Sequence, residues 1–231
     1  MSALLLRLAG PLQSWGTSSR FTRRNTDRAP SKSGVIGLLA AAEGRARNEP
    51  IEDLGMLRIG VRIDQAGRVE RDFQTARPVD GSAPLPLSYR FYLADAVFLV
   101  AVEGAHELLE RLASALRTPV FPLYLGRRSC PPAGPVLLGL REGTAGELLR
   151  ETPWQASGWF RRRHSEATVS LETVTDCRPG TPGSVLVRDE PVSFDPRHRQ
   201  YEWRSVLRAP VTVSNPDHRA HDPMELLGGD G

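Results

Sequence analysis

The residues best suited to chemistry in this sequence are arginines, and they fall in two separate stretches. The first is "GPLQSWGTSSRFTRRNTDR" at 10–28, where Arg20, Arg23, Arg24 and Arg28 lie within nine positions and Asp27 is the one acid among them. A guanidinium is a planar fork that matches phosphate. Trp15 precedes the cluster, between Gln13, Ser14 and Gly16, and an exposed indole can stack on a base. The second stretch is "YLGRRSCPPAGP" at 124–135, with Arg127 and Arg128 followed by Ser129 and Cys130. Its prolines fix φ and remove donors, so it is neither helix interior nor central strand but a rigid loop. A third candidate is "SKSG" at 31–34, which opens a helix. Free N–H groups at a helix start attract anions, and Lys32 with Ser33 adds to that. The chemistry all three suggest is phosphate and base recognition. Each also has a plain reading: Trp15 as a lid on the core, the arginines as a solvated face, and the serines as an ordinary cap.

Other chemistries find less support. The P-loop pattern GxxxxGK[ST] is absent, as are GxSxG and the kinase set. His218 and His221 form "HRAH" without an evident third ligand, so no metal site is expected. His164 beside Arg161, Arg162 and Arg163 is the best candidate for a ribonuclease acid or base. Asp189 and Glu190 sit in a strand-like stretch, where alternation sends them to opposite faces. Two cysteines make no disulfide framework. No cofactor is expected. The longest apolar run, "AVFLVAV" at 96–102, is far short of a membrane span, and "MSALLLRLAG" is too short for a signal-peptide core. A cytoplasmic protein without membrane attachment is expected. Of the 30 basic residues only Lys32 is a lysine, which fits either nucleic-acid binding or a GC-rich genome.

The elements that must position these loops follow from periodicity. Alternation predicts strands at 2–9, 56–64, 94–102 and 135–140, and helices at 31–47 and 105–117. "QAGR" at 65–68 predicts a hairpin turn, and the Pro/Gly-rich 76–88 an irregular insertion. The order is βαββαβ. It predicts an α+β fold with a ferredoxin-like (RRM-like) core at 1–141, interrupted by an arm at about 66–93. Two helices would cover one sheet face. Arg7, Arg58 and Arg62 would lie on the open face, as a solvated surface or an RNA platform. The remainder, 142–231, predicts a short helix and several strands, a small β-rich C-terminal appendage with a frayed tail. In this fold the loop at 124–135 returns near the end of the first strand. Arg127 and Arg128 are then expected to face Trp15 and Lys32 across one cleft.

"LLLRLAGPLQSWG", "SKSGVIGLLAA", "LYLGRRSCPP" and "RDEPVSF" with "YEW" together closely resemble the CasD family. These are the fifth-family Cas subunits of Cascade, the type I-E CRISPR surveillance complex, within the repeat-associated RNA-binding superfamily. The resemblance runs over about 2–213. It implies a non-catalytic subunit in antiviral defence that caps the Cascade backbone and holds the 5′ handle of the CRISPR RNA. Residues that would carry RNA contact are Gln13, Ser14, Trp15, Gly16, Arg20, Arg23, Arg24, Arg28, Lys32, Ser33, Arg127, Arg128, Ser129 and Cys130. The family's arm, called the thumb, reaches the backbone subunit CasC, with Arg77, Tyr89 and Arg90 as its contacts here. The large subunit CasA docks nearby, and target DNA is met only indirectly through the complex. No RNP1 signature is present, so the loops rather than the sheet face are expected to recognise RNA. Two alternatives stand beside this reading. One is a metal-independent endoribonuclease that processes CRISPR repeat RNA, as a related type I-C branch does. The other is a protein-interaction module whose arginines meet acidic partners.

Overall fold

The computed structural model describes residues 1–17, 23–81 and 83–218. Along the chain, β1 (Ser2–Ala9), β2 (Leu12–Gln13) and β3 (Arg23–Arg24) precede α1 (Lys32–Glu43) and α2 (Glu52–Gly55). Next come β4 (Arg58–Gln65), β5 (Arg68–Gln74), β6 (Ser88–Ala94) and β7 (Val97–Gly104), then α3 (His106–Arg117) and β8 (Leu137–Glu142). The chain continues through α4 (Ala145–Glu151), α5 (Gly158–Arg161), β9 (Thr168–Asp176), β10 (Val185–Ser193) and β11 (Gln200–Ser214).

Alternation in β1 divides two layers. Leu4, Leu6 and Leu8 join the main core beneath α1 and α3, while Ala3 and Leu5 point the other way and meet Leu148 and Leu149 of α4. The first sheet has seven strands in the order β10-β11-β9-β4-β7-β1-β8, and β1 pairs antiparallel with both β7 and β8. α1 is short because Gly44 takes φ 80° and turns its N–H back to Ala40 and Ala41, so the helix predicted to 47 ends at Glu43.

Four expectations need correction. The turn at 65–68 closes no hairpin onto β4, because both edges of β4 are occupied, by β7 and β9. The chain instead leaves the sheet through Gly67, at φ 69°. The arm keeps its predicted irregular proline-rich stretch, since no element lies between Gln74 and Ser88 among the described residues, but its flanks are regular: β5 and β6 pair from Arg68↔Ala94 to Gln74↔Ser88. β2 and β3 pair with β6 to complete a second sheet of four strands. The strands after 142 do not stand apart either, since β9 pairs with β4 and the first sheet simply continues.

The fourth correction concerns the sheet face assigned to Arg7, Arg58 and Arg62. That face is covered by α4 and the segment after it. Thr144 caps α4 in a reciprocal box with Glu147, and Gly60 lets α4 approach: a Cβ there would lie 2.8 Å from Leu149. Arg62 is wholly buried. It donates to both carboxylate oxygens of Asp64 (2.7 and 2.8 Å) and to the carbonyls of Leu149 (2.5 Å), Thr152 (2.7 Å) and Pro153 (2.9 Å). Arg7 is partly buried and donates to the Gln155 carbonyl. Arg58 alone of the three is exposed, beside Glu103.

Candidate nucleic-acid interface

The two arginine-bearing loops do meet. Gly126 makes this possible, because it takes φ 83° and a Cβ there would fall 1.8 Å from the Ser14 carbonyl oxygen. Ser14 N donates to Leu125 O (3.1 Å) and Ala133 N to Ala9 O (2.8 Å), so the loop is stitched along the chain that leaves β1. Within it, Leu125 N donates to Cys130 O (2.7 Å) and Cys130 N to Arg127 O (2.9 Å). The result is a tight turn with Arg128 and Ser129 exposed at its tip.

Several residues assigned to RNA are interior instead. Trp15 is 0% exposed and donates through Nε1 to Gln13 Oε1 (3.1 Å). Its ring packs so closely on α1 that a Cβ on Gly34 would lie 2.8 Å away. It is a lid on the core, not a stacking face. Gln13 is equally buried and donates to the carbonyls of Leu8 and Ala96. Ser14 Oγ donates to Phe91 O. Cys130 is buried, which pushes its thiol pKa up. Gly16 and Ser33 remain at the groove surface.

Lys32 is also withdrawn from solvent. Its Nζ lies 2.8 Å from Glu190 and 3.6 Å from Asp176, and its backbone N–H donates to Asp189 (2.7 Å). The start of α1 therefore already holds an anion, the Asp189 carboxylate, and the neutral Ser31 hydroxyl accepts from Gly34 N as its cap. Arg204 grips Asp189 with two hydrogen bonds and also meets Asp176. Burial opposes the Arg204 charge, but these carboxylates outweigh it and raise its pKa. Burial raises the Glu190 carboxyl, against the pull of Lys32. Asp189 and Glu190 reach one lysine because the β10 register shifts between Val187 and Glu190, which overturns their expected placement on opposite faces.

What the loops enclose is a groove of about 630 Å³ over the outer side of α1. Its floor is Gly34, Gly37, Ala40 and Ala41, whose small side chains leave the helix surface open. Phe121 and Tyr124 stand on one side, Phe194 and Tyr201 on the other. Arg45, Arg47, Arg128 and Arg199 line it as well. Arg45 is neutralised: it forks onto Asp53 (2.6 and 2.6 Å) and meets Glu43, which raises its pKa and lowers that of Asp53 to about 2. Arg47, Arg128 and Arg199 are exposed, with no carboxylate partner among the described residues. Three uncompensated guanidinium groups around aromatic walls suit a strand of phosphates with unstacked bases.

Arg127 works differently from its neighbour. It donates to the carbonyls of Phe91 (3.2 Å) and Arg24 (2.9 Å) and lies over the Tyr92 ring at 4.7 Å, so it fastens the loop to the arm. Arg23 sits over Phe91 at 5.2 Å and Arg23 and Arg24 pair with β6, so these two lie on the arm rather than in the groove; Arg28 is exposed and does not line the groove. Arg20 lies outside the described residues, as does His221. On the arm, Arg77 is exposed, Arg71 covers the Tyr89 ring at 5.6 Å, and Arg90 Nε is buried without a hydrogen-bond partner among the described residues. His164 is far from this groove. Its ring packs on Trp154 and Phe160 beside α5, with Nδ1 against the Phe160 carbonyl. Among the described residues no group of three or more His, Cys, Asp or Glu side chains is placed to hold a metal ion. No helix among them is long and apolar enough to cross a membrane.

The groove residues missed in the sequence are Arg47, Arg199 and the four aromatics. A signal for Arg47 was present, since the helix-stopping Gly44 is followed by two arginines. Arg199 carried none, because 190–201 reaches the groove only through the sheet.

Comparison with known proteins places the chain in a class. Residues 3–207 match the family model described as CRISPR-associated protein (Cas_Cas5), and the chain belongs to that family. More particularly, it is similar to the CRISPR system Cascade subunit CasD of Escherichia coli (strain K12), at 35% identity over 159 residues, 60% of this chain and 70% of that one. It is also similar to a chain of a solved CRISPR RNA-guided surveillance complex, with TM-score 0.77, 32% identity, and 96% and 95% of the two chains covered. A second solved Cas protein gives TM-score 0.71 and 38% identity over 96% of this chain and all of that one.

Proposed function

We propose that this chain is a non-catalytic RNA-binding subunit of a Cascade-type CRISPR surveillance complex, which holds the 5′ handle of the CRISPR RNA in the groove over α1. The observation that carries this reading is that Arg47, Arg128 and Arg199 line an aromatic groove, exposed and without a carboxylate partner among the described residues. The strand order β8-β1-β7-β4, with α1 and α3 on one face, supports a ferredoxin-like core. The β5–β6 hairpin is the thumb, positioned by Arg127 at its root and directed at CasC, with CasA docking nearby and target DNA met through the complex. The handle phosphates lie along the arginines, and a splayed base enters between the aromatic walls. Cleavage is left to another subunit. His164 supports this, since its ring is packed into the layer on the far side of the sheet from the groove.

Replacing Arg47, Arg128 and Arg199 with alanine tests the reading. Each lost phosphate contact lowers the slope of log affinity against log salt by about 0.7 on single-stranded RNA. A triple variant with an unchanged slope overturns it. Cleavage of repeat RNA by the purified chain would replace it with the endoribonuclease alternative.

A further inference from the structure

A second charged patch lies on the other side of the sheet. Val61 and Val174 pair on the α1 side, so Val169 and Leu171, which alternate with Val174, face away from it. On that far face they pack with Trp154, Ala156 and Phe160. The turn at 158–166 is pinned from below. Asn215 Nδ2 donates to the carbonyls of Arg161 (3.2 Å), His164 (2.8 Å) and Glu166 (3.2 Å). Arg161 meets Asp217 at 2.9 Å, Trp154 Nε1 donates to Asp64 O at 2.8 Å, and Ser157 Oγ to Gln65 Oε1 at 2.8 Å. So many tethers on a short turn fix what it displays.

What it displays is Trp159, 44% exposed, with the Arg163 guanidinium 5.7 Å from its ring and Phe160 edge-on beneath. Arg162 and Arg163 are exposed and form no ion pair among the described residues, since Asp217 is taken by Arg161. Glu166 follows in sequence but pairs with neither. Cations crowd here: burial lowers the Arg7 pKa, and nearby Arg161 lowers it further although Asp64 raises it. A rigid, exposed indole serves no core, and two guanidinium groups beside it that no described carboxylate pairs call for a polyanion. An acidic protein surface would satisfy the arginines but offers the indole no flat partner. Single-stranded nucleic acid satisfies both, by phosphate pairing and base stacking. We infer that Trp159, Arg162 and Arg163 form a second contact for single-stranded nucleic acid, separate from the groove and on the opposite side of the sheet.

The test uses the full chain carrying Arg47→Ala, Arg128→Ala and Arg199→Ala, so that remaining affinity reports this patch. Fluorescein-labelled single-stranded RNA and DNA are titrated at several salt concentrations. Adding Trp159→Ala should weaken binding about 5- to 150-fold and leave the salt slope intact. Adding Arg162→Glu with Arg163→Glu should lower the slope by at least about 1.4. Melting temperatures should not fall, because all three side chains are exposed. If affinity and slope are unchanged in both additions, the inference is wrong. A variant that fails to fold is replaced by photo-crosslinking of the unmutated chain to a 4-thiouridine oligonucleotide. The crosslink is expected in the tryptic peptide 151–161, and its absence overturns the inference. A triple variant that binds like the unmutated chain would count against the groove alone, not against this patch.

Discussion

Arg62→Met separates the buried reading of Arg62 from the RNA-platform reading most sharply. The substitution keeps an apolar stem of similar length and removes five hydrogen bonds of 2.5–2.9 Å. It leaves the Asp64 carboxylate, 1% exposed, with the Gln155 N–H (2.5 Å) as its remaining donor among the described residues. Three main-chain carbonyls lose their guanidinium donor as well. Breaking a buried ion pair from one side costs about 3–5 kcal/mol. For a domain of this size each kcal/mol lowers the melting temperature by about 2–4 °C, so a fall of about 6–20 °C is expected. Urea unfolding should show a lower midpoint with an unchanged m-value. The salt slope of RNA binding by the folded fraction should not move. Arg62→Met with Asp64→Leu should recover part of the loss, because no charge is left alone. A loss below about 1 kcal/mol, or a reduced salt slope at normal stability, would refute the burial argument.

Gly126→Ala places a methyl group against the Ser14 carbonyl and forces a left-handed residue that costs about 1–2 kcal/mol before any clash. Reduced RNA affinity is expected, and affinity equal to the unmutated protein would mean that loop docking does not position the groove. Trp15→Ala should cost about 3–5 kcal/mol of stability and leave the salt slope unchanged; a stable variant with weakened binding would make Trp15 a contact after all. Asp53 has its pKa lowered from 3.8 to about 2, so its pairing with Arg45 stabilises the fold above about pH 4 and is lost as pH falls through 2. The side chain is 42% exposed, which limits the effect to about 1 kcal/mol or less. Asp53→Asn should flatten that part of the acid unfolding curve, and equal acid sensitivity in both proteins would count against the pairing.

Much of the central sheet is legible because one-faced burial writes itself as alternation. Leu4, Leu6 and Leu8, or Ile59 and Val61, declare a strand and its inner side. Alternation does not declare what covers the other side. Arg62 reads as solvent-facing until α4, capped by Thr144 and admitted by Gly60, closes over it. Lys32 misleads for a similar reason: a lone lysine at a helix start looks like an anion site, and its partners Asp176 and Glu190 lie on strands far along the chain. The meeting of the loops at 10–16 and 125–131 was legible, because the order of elements brings them to one end of β1. Which arginine stays free was not. Arg127 and Arg128 are neighbours in the loop, yet one is spent on Phe91 and Arg24 while the other faces the groove.

The charge cluster beneath α1 also sets a timetable for synthesis. Lys32 leaves the ribosome early and Arg204 late, and at about 5–20 residues per second the gap between them is roughly 10–30 s. For most of that interval a nascent chain has the helix that floors the groove but neither the carboxylates that anchor its start nor the wall from Phe194 to Tyr201. β1 likewise waits for β8 to cover its edge. A fold closed by such distant partners matures slowly and nearly all at once. An emerging polypeptide thus has no finished groove until the residues from Phe194 to Tyr201 have been made and docked.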